Sequence, residues 1–147
     1  MNYMKTAHLH DVWSSPDNSR LVSKQFSFRL PVHIAAKIAA LGDIYPQKNR
    51  TQIVADLLSA ALDDLEKNLP YTTYLASEHV QEQEREVAHH MHYDYEPIYE
   101  MGGIRTAYRQ KVNKYYSEFE KELGNDSSVD IYGMICGTEN SIKESTK

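Results

Sequence analysis

The sequence predicts a mainly α-helical chain in which one short strand and two helices form an incomplete unit, completed by a second copy of the same chain. Three observations carry this reading. Residues 24–30 alternate strictly between apolar and polar side chains. Two stretches with helical periodicity follow, each with its own start and stop signals. Finally, no partner strand is legible after the first, and a lone strand is not stable.

In Lys24-Gln-Phe-Ser-Phe-Arg-Leu-Pro31, Phe26, Phe28 and Leu30 fall on one side of an extended segment, with Gln25, Ser27 and Arg29 on the other. Pro31 ends the strand because it cannot donate to a ladder, and it suits the first position of a helix.

The first helix is expected from about Val32 to Ile44. Ile34, Ile38 and Leu41 recur on one face, His33 and Lys37 lie opposite, and the intervening alanines allow another backbone to approach closely. Pro46 disfavours helical geometry at Tyr45 and sets the end, and Gly42 is either interior or the cap of an earlier stop. The second helix opens after Gln47-Lys48-Asn49, where Asn49 and Gln52 make a capping-box pattern. Its apolar stripe of Ile53, Val54, Leu57, Leu58, Ala61, Leu62 and Leu65 is wider than the first helix can cover, which again calls for a partner subunit. Pro70 marks its stop.

These residues resemble a known family. The Gln-Phe-Ser-Phe-Arg-Leu-Pro strand, the Ala-rich helix and the Asn-Arg-Thr-Gln-Ile-Val helix start are similar to a ribbon-helix-helix DNA-binding domain, as in the Arc and methionine repressors, over about residues 24–68. The resemblance implies an intertwined homodimer whose two strands pair into an antiparallel ribbon. Phe26, Phe28, Leu30, Ile34, Ile38, Leu41, Ile53, Val54, Leu57, Leu58 and Leu62 would form the dimer core. Gln25, Ser27 and Arg29 would read bases in the major groove of double-stranded DNA, Arg suiting guanine, Gln adenine and Ser either. Lys24, Lys48, Asn49, Arg50 and Thr51 would hold phosphates, the last two at the positive end of the second helix. The expected function is a sequence-specific repressor acting as a homodimer, with dimers able to join on tandem sites. The alternative is an antitoxin-type interaction protein whose C-terminal region binds a protein partner.

Charge is placed accordingly. Residues 1–55 carry seven Lys/Arg against three Asp, whereas residues 71–147 carry eight Lys/Arg against fourteen Asp/Glu. That is compatible with a basic binding face and an acidic accessory region.

Outside 24–70 the chain divides into an N-terminal arm, 1–23, and an acidic helical region with a flexible tail, 71–147. In the arm, Met4 to Trp13 reads as a short strand or a helical turn, Leu9 and Trp13 are expected to pack on something, and Asp11 to Arg20 reads as turn or loop. Beyond Pro70, Leu75 to Met91 reads as a polar helix, His92 to Pro97 as a break, and Gly103 to Leu123 as an amphipathic helix ended by Gly124-Asn125-Asp126. The last twenty residues hold one apolar patch, Val129 to Ile135, and a tail expected to be disordered.

Other function classes find little support. His89 and His92 are the weak candidates for a metal, but their spacing is not that of helical ligand pairs, so no metal and no cofactor are expected. No nucleophile motif or phosphate loop points to an enzyme. A single cysteine, Cys136, excludes an internal disulfide framework. The longest apolar run, Ile53 to Leu62, is too short for a bilayer and no signal peptide is recognisable, so no membrane association and a cytoplasmic location are expected.

Overall fold

The computed structural model describes residue 6, residues 9–13 and residues 20–146. The chain is mainly helical, with a small antiparallel sheet, and divides into two compact units, 1–68 and 69–147.

In the first unit, α1 (Leu9–Trp13) precedes α2 (Val32–Ile44) and α3 (Arg50–Asn68). Helix α2 starts directly after Pro31, whose carbonyl accepts from the Ala35 N–H, and ends before Tyr45, whose N–H reaches back to the Leu41 carbonyl. Gly42 is therefore interior. Helix α3 opens on the anticipated capping box: Asn49 Oδ1 accepts from the Gln52 N–H at 2.8 Å, and Gln52 Oε1 accepts from the Asn49 N–H at 3.2 Å.

Over Leu9–Trp13 the arm is a helical turn, and α3 is what Leu9 and Trp13 pack on. Both are buried with Ile53 and Ala60 of α3, flanked by Leu41, Tyr45 and Leu57. Asp56 interrupts the apolar stripe of α3 and is itself buried, and its Oδ2 accepts from the Trp13 indole N–H at 2.7 Å. Gln47 donates to the Trp13 carbonyl, and the Trp13 and Tyr45 rings meet edge to face. Of the turn or loop expected over Asp11 to Arg20, residues 11–13 are instead the end of α1, because Trp13 packs onto α3, and residues 14–19 lie outside the described residues.

The expected strand at 24–30 is not one in the single chain. Residues 25–30 pair with no strand among the described residues. A ladder needs a second edge, and the three strands that the sequence reading missed pair with each other in the second unit.

That second unit holds β1 (Thr72–Leu75), α4 (Glu78–Met91), β2 (Tyr99–Gly102), α5 (Ile104–Glu122), β3 (Cys136–Gly137) and α6 (Glu139–Ser145). The sheet order is β1-β2-β3, antiparallel throughout, with Thr72 opposite Gly102 and Tyr99 opposite Gly137. Strands of two to four residues and mixed polarity give almost no alternation to detect.

Helices α5 and α6 pack on the sheet. Ile142 of α6 is buried, and Thr138 caps that helix by accepting from the Ser141 N–H. The tail expected to be disordered is thus folded through residue 146, because one isoleucine anchors it to the strands. Helix α4, whose all-polar Gln81–Glu86 run is expected either to be exposed or to bridge elements, buries Gln81. Its amide donates to the Ala76 and Ile98 carbonyls and accepts from the Ile98 N–H and the Tyr95 hydroxyl, so every polar capacity of the side chain is used. One buried glutamine thereby fastens the 92–98 connection to α4.

Three turns depend on left-handed backbone. Gly103 (φ +82°) joins β2 to α5, and a Cβ there would lie 3.2 Å from the Thr72 amide nitrogen. This close approach lets Arg105 donate its N–H to the Pro70 carbonyl and its Nε–H to that of Leu69, while its guanidinium covers the Tyr71 ring. Helix α5 ends in a Schellman arrangement at Gly124 (φ +89°), with the Asn125 N–H on the Glu120 carbonyl. Helix α4 ends in the same way, but with His92 (φ 59°) in the glycine position and the Tyr93 N–H on the Ala88 carbonyl.

Two outcomes are expected. Trp13→Phe keeps most of the packing but strips buried Asp56 of its indole donor, so urea unfolding should show a loss of about 1–3 kcal/mol. His92→Gly relieves the left-handed strain and should stabilise the second unit by roughly 0.5–1 kcal/mol, read as a raised Tm.

Candidate nucleic-acid interface

The expected base-reading residues Gln25, Ser27 and Arg29 are all exposed, and so are Phe26, Phe28 and Leu30 on the alternate positions. Phe28 is 76% exposed and Val32, which begins α2, is 87% exposed. Lys24 extends over the Phe26 ring, 5.7 Å from its centroid, so the cation sits beside the apolar face at the start of the segment.

The expected dimer core divides in the same manner. Ile53 is fully buried by α1, but Ile34, Ile38, Leu41, Val54 and Leu57 are only half-buried, and Leu58 and Leu62 are exposed. No residue of α2 is buried. The buried side of α3, which Ala60 and Asp56 share with Ile53, is the side under α1. Val32 and Ile44 of α2 and Leu58, Leu62 and Leu65 of α3 are exposed.

At the N-terminus of α3 the capping box satisfies the Gln52 N–H, while the N–H groups of Arg50 and Thr51 have no intrahelical partner, as at any helix start. Both residues are exposed, as is Asn49. The Arg50 stem runs alongside Gly42, within 3.9 Å of where a Cβ would stand. Lys48 departs from expectation. It is 6% exposed and its N–H donates to the Tyr45 carbonyl, so it belongs to the packed α2–α3 turn and offers no open side chain to a phosphate. Lys24, Asn49, Arg50 and Thr51 remain as the accessible set.

Sequence reasoning missed the partnership of Trp13 with Asp56, which braces the α2–α3 turn next to this helix start. Its signal was present: an aspartate inside an apolar stripe requires a donor, and the arm carries the chain's one tryptophan. Elsewhere, His89 and His90 occupy the last turn of α4 and His92 its cap, all exposed. Among the described residues no group of three or more His, Cys, Asp or Glu side chains is placed to hold a metal ion. Nor is any described helix long and apolar enough to cross a membrane.

Comparison of the chain with protein-family models, with curated proteins and with solved structures finds no match.

Asn49→Ala should cost about 1 kcal/mol of unfolding free energy, because the Gln52 N–H loses its cap; thermal melts of the two proteins check this.

Proposed function

We propose that this protein is a homodimer that binds double-stranded DNA sequence-specifically, as a ribbon-helix-helix repressor would. One observation carries the reading: large apolar side chains of α2 and α3 are left exposed, and so is the alternating segment before them. Phe26, Phe28, Leu30, Val32, Leu58 and Leu62 are all exposed in the single chain. Burying each of these is worth roughly 1.5–3 kcal/mol, so leaving them in water is costly and a second copy is the cover that the pattern implies. Pairing residues 25–30 with their symmetry mates would give each strand its missing ladder, turn the aromatic side inward and leave Gln25, Ser27 and Arg29 on the outer face. The α3 N-termini would then grip phosphates through Arg50 and Thr51, contacts that orient without reading sequence.

The second reading, an antitoxin-type protein, requires a C-terminal region that orders only on a partner. Residues 69–147 instead form a compact unit with a sheet, capped helices and a fully bonded buried glutamine. This favours an accessory domain of a regulator.

The decisive experiment is recovery of fragmented source DNA on the purified protein at near-physiological salt, followed by sequencing. A few enriched sites with repeated or palindromic half-sites are expected; weak, uniform binding abolished by modest salt would reduce the interaction to phosphate attraction. At a recovered site, Arg29→Ala should weaken binding by about 1–3 kcal/mol while changing affinity for random DNA much less. Equal loss on both would remove Arg29 from base reading.

A further inference from the structure

The second unit carries an open strand edge whose geometry is set by its hydrogen bonds. Ala76 donates to the Ile98 carbonyl in register with the β1–β2 ladder, so Ala76, Tyr74 and Thr72 occupy the positions whose backbone groups face β2. Met101 donates to the Ile135 carbonyl on the far side, which fixes the same alternation across β2. The backbone N–H and C=O groups of Thr73 and Leu75 therefore point away from the sheet. Among the described residues no strand pairs with that edge, and all four residues of β1 are exposed.

Edges of this kind are ordinarily blunted by lysine, proline or a bulge. Thr72-Thr73-Tyr74-Leu75 carries no charge and no proline, and Tyr74 and Leu75 are 53% and 57% exposed. Tyr74 is held in place. Its ring covers Gly102, where an added Cβ would lie 3.1 Å from it, and Glu100 across the ladder accepts its hydroxyl, which holds the phenol above its ordinary pKa.

We propose that β1 is a self-association surface: the β1 strands of two chains pair antiparallel about a twofold axis through Tyr74, joining two three-stranded sheets into one. The outward groups are self-complementary in this register. Thr73 of one chain meets Leu75 of the other as a hydrogen-bonded pair on each side of the axis, and the two Tyr74 residues form the close non-hydrogen-bonded pair. The proposal rests on the reading of the chain as a homodimer through its first unit. Only Leu69, Pro70 and Tyr71 separate α3 from β1, so a dimer formed there tethers a second β1 at high effective concentration. That tether selects a second copy, rather than an extended peptide of another protein, as the occupant.

The test uses the full-length chain with Cys136→Ser, so that introduced cysteines are the only thiols. Tyr74→Cys should form an intermolecular disulfide under a mild oxidant such as diamide at least about tenfold faster than Val129→Cys, an exposed control on the same unit. Adding Thr73→Pro, which removes an outward N–H and leaves the β1–β2 bonds intact, should bring the rate down to that of the control. Leu75→Lys should do the same by charging the edge, and circular dichroism verifies that both variants remain folded. Sedimentation of the protein with and without Phe28→Glu separates the two readings. A dimer that Phe28→Glu dissociates, but whose Tyr74→Cys variant cross-links no faster than the control, keeps the first-unit dimer and overturns the edge pairing. A dimer indifferent to Phe28→Glu and broken by Thr73→Pro supports the edge pairing and overturns the first-unit reading. A monomer at all concentrations, or a β1 edge that pairs only with a peptide from another protein, overturns the proposal.

Discussion

Apolar surface that one chain cannot cover is the constraint on which the first unit depends. Helices α2 and α3 carry more leucine, isoleucine and valine than their mutual contact can bury, and the short helix α1 covers only one side of α3. The protein's own solution on that side is specific. Leu9 and Trp13 supply area, and the indole N–H neutralises the cost of placing Asp56 inside an apolar stripe. On the other side there is no such local remedy. The exposed side chains Phe26, Phe28, Leu30, Val32, Leu58 and Leu62 are what favours the proposed dimer, in which residues 25–30 would gain a ladder at the same stroke.

The second unit is built on a different principle. Its strands are too short to hold a sheet by packing alone, and much of its order comes from side chains that satisfy backbone groups. Gln81 bonds to both the N–H and the C=O of Ile98, Asn113 pairs with the N–H and C=O of Tyr132, and Arg105 clamps the carbonyl of Leu69 while covering Tyr71. Arg109 similarly lies on the Tyr132 ring while donating to the Gly133 carbonyl. The many tyrosines thus serve as platforms for arginine stems and as hydroxyl donors to carboxylates and amides, as Tyr93 does to Glu84 and Tyr95 to Gln81. Such a network adds order to a unit whose buried apolar side chains among the described residues are Ala76, Ala88, Met101 and Ile142.

The two principles meet in how the protein would act. A first unit that exposes Arg29, Arg50 and the helix dipole of α3 offers directional contacts to an anionic duplex, while the second unit holds most of the acidic side chains. On the proposed function, acidic surface on the second unit would be repelled by the phosphate backbone, and residues 1–55, with seven Lys/Arg against three Asp, would make the contact. Lys48, buried in the α2–α3 turn, adds no open side chain to that contact.

The sequence by itself determined the elements whose physics is local. Pro31, Pro46 and the Asn49–Gln52 box set the bounds of α2 and the start of α3, and glycine at 124 set the end of α5, because capping and φ restriction act within a few residues. The alternation of residues 24–30 was equally plain, as was the exposure of Gln25, Ser27 and Arg29. What only the tertiary structure decided depends on residues far apart in the chain. Trp13 finds Asp56 across 43 positions, Gln81 reaches Ile98, and three short strands without a period of their own assemble because their edges meet. The fate of Lys48 belongs to the same class: a lysine in a loop reads as surface charge until the turn around it closes, and burial is a property of the packed neighbours, not of the residue.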